Sequence, residues 1–243
     1  GLKHMNPCGA AIGTDVVDAW TKAYEADKVS IFGGIVAVNR EVNKEVAELM
    51  KPIFLEIIMA PAFSDEALEI LSSKKNLRLL QVDMSVADME QTQYVSVNGG
   101  LLVQRLDTET KSVVADMTVT ERKPSAEELE DMNFGWRIVK HVKSNAIVVV
   151  KDGHTVGVGA GQMNRVGSAE IALKQAKAAG FTEGLTLASD GFFPFDDTVT
   201  LAQEYGVTAL VQPGGSVRDE DSVKRANEFG MTMLVTGMRH FKH

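Results

Sequence analysis

Short apolar runs alternate with amphipathic, helix-spaced stretches along most of this chain, and that rhythm confines it to layered α/β folds. The run Ile53-Phe54-Leu55-Glu56-Ile57-Ile58-Met59-Ala60 is apolar on both faces apart from one carboxylate. Such a run reads as a strand buried on both sides, as in a parallel sheet. Glu56 inside it needs a partner or a function. Strands are likewise predicted over 31–38, 77–82, 146–150, 185–188, 209–211 and 231–235. Helical spacing or capping residues predict helices over 15–27, 42–50, 64–73, 166–179, 196–205 and 219–229. Ser125-Ala126-Glu127-Glu128 is a capping box that opens a longer helix to about residue 142.

The rhythm breaks in the middle. Residues 84–93 are polar without a clean period, and 95–105 read as an antiparallel ribbon turned at Asn98-Gly99-Gly100. Residues 107–122 form a charged, threonine-rich connection that ends at Pro124. The chain therefore divides into a first unit, 1–120, and a second, 121–243. Its 243 residues can bury a substantial core. A net charge of −8 gives no bulk attraction for nucleic acid, so an anionic ligand must be met by a local basic pocket. One cysteine excludes an internal disulfide framework and fits a reducing, cytoplasmic compartment. No apolar run is long enough to cross a membrane. The start, Gly1-Leu2-Lys3-His4, has neither an initiator Met nor a hydrophobic leader and reads as the middle of a longer protein.

Four stretches concentrate chemistry. In Lys3-His4-Met5-Asn6-Pro7-Cys8-Gly9, Lys3 can hold an anion and His4 brings an imidazole, the side-chain type suited to proton transfer near neutral pH. Thr14 or Asp15 caps the helix that follows, which places the cluster between a strand end and a helix N-terminus, a position that suits an anion. The bland alternative is a solvated loop. Further on, Asp152-Gly153 turns a hairpin that returns through Thr155 to Gly159. Glycines 157, 159 and 161 then precede a helix, but the dinucleotide fingerprint is not matched: the third glycine falls too early and no acidic residue follows a second strand. A turn whose amides and Arg165 meet an anion, or a bare tight turn, explains them better. Ser189 to Asp197 is predicted as a loop exposing Asp190 and three phenylalanines around Pro194, which suits a flat heterocycle or a plug into the core. The tail Arg239-His240-Phe241-Lys242-His243 is basic and aromatic, fit for a phosphate or simply solvated.

The strand and helix succession, with Pro7-Cys8 at a helix start, is similar to that of the zinc deaminases. Their site needs a second cysteine, so a single Cys8 cannot build it, and no metal site is predicted. A more specific resemblance covers the whole chain. Lys3 to Gly9, Ser144-Asn145-Ala146, Gly159-Ala160-Gly161-Gln162-Met163-Asn164-Arg165, Ser189-Asp190-Gly191-Phe192-Phe193-Pro194-Phe195 and Arg239 to His243 occur in this order. Together they resemble the aminoimidazole carboxamide ribonucleotide (AICAR) formyltransferase part of the bifunctional purine biosynthesis family.

That resemblance implies tandem cytidine-deaminase-like α/β/α three-layer units, zinc-free, with the first unit incomplete. It implies formyl transfer from 10-formyltetrahydrofolate, the co-substrate, to the 5-amino group of AICAR. By resemblance the catalytic residues are Lys3, His4 and Asn145. Phe32, Gly33, Glu56, Arg165, Asp190, Phe192, Arg239, Phe241 and His243 would meet AICAR, and Pro194, Phe195 and Asp197 the folate. It further implies a homodimer with sites at the interface, and allows a monovalent cation such as K+ near Ser144 and Asp190. An upstream AICAR-binding motif and an N-terminal inosinate cyclohydrolase domain of the family are not in these residues, so the chain is expected to be a fragment with weak or no turnover. The rival expectations are a catalytically silent nucleotide-binding module and an assembly scaffold.

Overall fold

A computed structural model describes residues 1–84, 92–109 and 111–243. Leu2–Lys3 (β1) and Asn6–Pro7 (β2) form a hairpin, followed by Val16–Ala26 (α1), Gly34–Ala37 (β3), Lys44–Met50 (α2), Leu55–Ala60 (β4), Asp65–Ser72 (α3) and Arg78–Gln81 (β5). Thr92–Val97 (β6) and Gly100–Arg105 (β7) make a two-stranded ribbon turned at Asn98 and Gly99. After a short 3-10 turn at Ala115–Met117 come Ala126–Val139 (α4), Ile147–Lys151 (β8), His154–Gly159 (β9), Arg165–Ala178 (α5) and Leu185–Ser189 (β10). Asp197–Glu204 (α6), Val207–Gln212 (β11), Asp219–Glu228 (α7) and Thr232–Val235 (β12) complete the chain.

The strands form two five-stranded sheets, ordered β2-β1-β3-β4-β5 and β9-β8-β10-β11-β12. Each begins with an antiparallel hairpin whose inner strand runs antiparallel to a third strand, and two parallel strands follow. The same topology is therefore built twice, with helices in the crossovers between parallel strands. The fold is mixed α/β, as the alternation predicts.

Layering follows from which side chains each strand turns inward. In the first sheet Val36, Leu55, Ile58 and Ala60 pack under Val16, Trp20, Val46, Ala47, Met50, Ala67 and Leu71 of α1–α3. Ile35, Ile57 and Met59 are half-buried and Leu80 is exposed. The second sheet is covered on both faces. Ile147, Val149, Leu187, Leu210 and Met233 meet α5, α6 and α7, while Val148, Val150, Ala188, Val211 and Leu234 meet Met132, Trp136 and Val139 of α4. The segment 10–12 joins the two sheets: Ala10 and Ile12 exchange backbone bonds with Thr155 and Gly153 along the β9 edge. Val113 and Thr118 of the connection also reach the second sheet's side, through Asn133 and a bridge to Leu234.

Local signals explain the boundaries. Asp15, not Thr14, caps α1 by accepting the Asp18 N–H at 2.8 Å. Asn43 caps α2, which therefore starts two residues later than predicted. The Ser125–Glu128 capping box is present. Its helix stops at Val139 rather than near 142, because the His141 and Val142 N–H groups tighten onto carbonyls three residues back. The first hairpin corrects another expectation. The Lys3–Gly9 cluster does not adjoin a helix N-terminus; α1 begins at Val16, and Lys3–Asn6 close a two-residue turn instead. Most of the aperiodic stretch 84–93 lies outside the described residues.

Candidate functional site

The first hairpin presents Lys3 and His4. Lys3 Nζ donates to the carbonyl oxygens of Phe32 at 2.6 Å and Gly33 at 3.1 Å, so it is fixed at the turn into β3. Gly33 is required there. Its φ is +67°, and a Cβ would lie 3.0 Å from Lys3 Nζ and 3.2 Å from the Phe54 ring. Phe32 is exposed, with its ring centroid 5.1 Å from that of Phe54. Glu56 finds its partner in Arg78, at 2.8 Å on the neighbouring strand. His4 is exposed, and His4 and Met5 both take positive φ, 48° and 64°.

The second half supplies a buried polar network. Arg165, at the start of α5, is 6% exposed and Asp190, after β10, is fully buried. Arg165 Nη1 pairs closely with Asp190 Oδ1 and donates to Ser189 Oγ at 2.9 Å, while Nη2 donates to Asn145 Oδ1 at 2.9 Å. Asp190 also accepts the Ala146 N–H and the Ser144 hydroxyl, at 3.1 and 2.5 Å. A buried guanidinium and carboxylate are tolerated because they pair with each other and each takes further hydrogen bonds, Arg165 to Ser189 and Asn145, and Asp190 from Ala146 and Ser144. Asn145 Nδ2 donates to Gln162 O at 2.9 Å. The tail docks on the same corner: His240 N–H donates to Asp190 O and Lys242 N–H to Ser144 Oγ. Phe241 then lies against Gly191, where a Cβ would come within 2.8 Å of its ring. The Arg239 guanidinium sits 5.0 Å from the Phe241 centroid, and the exposed His243 ring is 5.6 Å away.

Two bonds bring these groups together. Asn6 Oδ1 accepts the Lys143 N–H at 2.8 Å, and Lys242 Nζ donates to Met5 O at 2.7 Å. The turn carrying His4 is thereby held against the Ser144–Asn145 corner and the tail. Pro194, Phe195 and Asp197 stand apart, towards α7. Phe195 lies 5.1 Å beneath the Arg218 guanidinium, and Ser222 donates to its carbonyl. Asp197 is exposed and bonds its neighbour Thr198.

Two expectations are corrected. Asp190 is not exposed by its loop, and of the three phenylalanines only Phe195 is; Phe193 fills the core and Phe192 is half-buried. Gly157 and Gly159 do not form an anion-binding turn. They lie in β9, where a Cβ would come within 1.9 Å of Ala172 O and Ser168 O, so their role is close packing of α5 on the sheet. A cavity of about 420 Å³ between segment 10–15, α1 and β3 is lined by none of the predicted residues. The bonded corner, where the predicted residues converge, is the better candidate. Among the described residues no cluster of His, Cys, Asp or Glu could hold a metal ion, and no helix is long and apolar enough to cross a membrane.

A sequence model described as the AICARFT/IMPCHase bienzyme matches residues 1–175. The chain belongs to this family. The bifunctional purine biosynthesis protein PurH of Bacillus cytotoxicus and that of Anoxybacillus flavithermus are each 58% identical to it over 242 residues. The PurH of Bacillus mycoides is 57% identical. All of this chain is covered but only 47% of each relative, so it spans about half their length.

Within this member of the AICARFT/IMPCHase family, sequence reasoning missed Phe54 and Arg78 beside the Lys3 turn and Lys143 at the corner; it singled out Asn6 but not its bond to Lys143. Phe54 was hidden inside an apolar run, although its position at the mouth of β4 leaves it exposed. Arg78 opposes Glu56 only through the β4–β5 register, which pairs it with Ile57. The Asn6–Lys143 bond spans 137 residues, and no local pattern announces it.

Proposed function

We propose that this chain carries the formyl-transfer chemistry of purine biosynthesis, moving the formyl group of 10-formyltetrahydrofolate to the 5-amino group of AICAR. The observation that supports it best is the convergence of the Lys3–His4 turn on the corner that holds Asn145 and Arg165. The AICAR amine is a poor nucleophile, its lone pair being delocalised into the ring and carboxamide. His4, exposed at the turn, would take its proton. Two of the three Lys3 N–H groups are committed to carbonyls, and the third remains to steady the developing oxyanion or to protonate the leaving folate nitrogen. Asn145 keeps one N–H for the formyl oxygen.

Arg239, Phe241 and His243 would hold the ribonucleotide from outside, with Arg165 and its carboxylate Asp190 beneath. Phe32, Gly33, Glu56 and Phe192 would border the base, and Pro194, Phe195 and Asp197 the folate. The repeated strand order supports two cytidine-deaminase-like units, 1–120 and 121–243, the first incomplete and neither using zinc. We further propose a cytoplasmic homodimer, with K+ as an optional ligand near Ser144 and Asp190. The cyclohydrolase half would lie outside this chain, which alone would turn over weakly.

The test is thermal unfolding, with and without AICAR, of a chain extended to the relatives' length. A ligand bound only by the native state adds about 2.7 kcal/mol at a hundredfold excess over its dissociation constant. His4→Ala should keep that shift and lose formyl transfer, whereas Arg239→Ala should lose the shift. A shift without turnover in the parent would favour a silent nucleotide module. No shift would sink the substrate assignment and leave the scaffold reading.

A further inference from the structure

The tail alternates in exposure: Arg239, Phe241 and His243 face outward, while His240 is 2% exposed. Extended backbone has a side-chain period of two, so whatever fixes His240 also fixes the face on which Arg239 and Phe241 stand. His240 is gripped from one direction. Its Nδ1–H donates to Asp107 Oδ2 at 2.5 Å, its ring centroid lies 4.5 Å from that of Trp136, and its Nε2 has no hydrogen-bond partner among the described residues. The tautomer is assigned from the carboxylate, which accepts. A phenylalanine would fill the same space against Trp136 without leaving a buried nitrogen unsatisfied. Packing therefore does not explain the imidazole; its bond to Asp107 does.

Asp107 is itself held. Its Oδ1 accepts the Glu109 N–H at 3.2 Å, and its carbonyl accepts from Lys140 Nζ at 3.3 Å, which also reaches Glu109 O at 2.7 Å. It sits in the connection after β7, 133 residues before its partner and outside the residues assigned to AICAR or folate.

We infer that Asp107 is a positioning residue of the nucleotide site: through His240 it keeps the tail docked, with Phe241 beside Gly191 and Arg239 over the Phe241 ring. The inference rests on the reading of the site under Proposed function. Asp107 acts by raising the docked fraction, and a ligand that needs the docked tail binds more weakly as that fraction falls.

The experiment combines hydrogen exchange with AICAR titration on the full-length protein and its Asp107→Ala, Asp107→Asn and His240→Phe variants. In Asp107→Ala the amides of His240 and Lys242 should exchange faster while those of β10 do not change. AICAR affinity should fall about tenfold if one molecule in ten stays docked. Asp107→Asn, which retains an acceptor, should recover part of both effects. His240→Phe should keep the thermal midpoint yet share the loss of affinity, an outcome that a merely structural histidine would not give. Unchanged exchange at His240 and Lys242 overturns the anchoring. Faster exchange with undiminished affinity overturns the positioning role. A parent protein that binds no AICAR refutes the substrate reading and the positioning role with it, while the exchange rates still report on the anchor.

Discussion

His4 and Met5 occupy a conformation their side chains disfavour. A two-residue hairpin turn with both φ values positive is most easily made by Asn-Gly or Asp-Gly. The second sheet makes the corresponding turn with Asp152 and Gly153, at 49° and 71°, and a lysine precedes each turn. Left-handed backbone at residues other than glycine costs on the order of 1–3 kcal/mol each. Replacing His4 by Asp and Met5 by Gly together should therefore raise the stability by about 1–2 kcal/mol in urea titrations and abolish formyl transfer; an unmoved midpoint would show that the turn is relaxed. Gly191→Ala tests the opposite corner. Its Cβ would fall 2.4 Å from Arg165 Nη2 and 2.8 Å from Phe241, so nucleotide affinity should drop even where the fold survives. The Asp152-Gly153 turn is legible in the sequence because that pair carries a turn signal. His4-Met5 carries none, and the chemistry of its residues pulls the sequence reading towards the following helix.

Elements were more legible than their ends. Capping residues announce α3 and α4, and the structure finds Ser64 and Ser125 bonded to the N–H groups three residues on; Asn164 caps α5 in the same way, without having been singled out as a cap in the sequence. The glycines of β9 are the element the sequence misdescribes, because spacing alone does not separate a ligand turn from a strand pressed by a helix. Gly159→Ala would drive a Cβ to 1.9 Å from Ser168 O, which is backbone and cannot yield cheaply. A loss of about 3 kcal/mol or more in unfolding free energy is expected, from overpacking. On α4, burial alone would raise the Glu128 carboxyl. Hydrogen bonds from Arg122, the Ser125 N–H and Thr208 outweigh it and hold the group below the usual carboxylate range. Its contribution to stability is therefore complete above the unfolded value of about 4.3 and lost as the pH falls through the folded value. Glu128→Gln should lower stability at neutral pH and flatten its decline between about pH 5 and 3, measured as urea midpoints across that range. An equally steep decline in the variant would assign the acid sensitivity to other carboxylates.

For the whole molecule, alternation of strand and helix announced a layered α/β fold, while the bonds between its two five-stranded sheets lay beyond any local pattern. The β6–β7 ribbon is where the chain is least self-sufficient. Tyr94, Leu101 and Val103 share one face and are 65%, 60% and 59% exposed. An isolated two-stranded ribbon is marginal in water, and an apolar patch of this kind marks an interface. Leu101→Asp combined with Val103→Asp should convert the proposed homodimer to monomer in sedimentation velocity and leave the thermal midpoint of the two sheets in place. A dimer that persists would move the interface elsewhere. The repeated topology has one more consequence. Lys3 and Lys151 stand at the same place in the two sheets; Lys151 donates to Gly184 O at 3.2 Å, and Lys3 to Phe32 O and Gly33 O beside two exposed aromatic rings. The two hairpins thus differ in what their turns ask of the backbone. One keeps the comfortable Asp-Gly turn, its counterpart holds a histidine and a methionine at positive φ, and a comparison of the two within a single chain serves as an internal control for what that choice costs the fold.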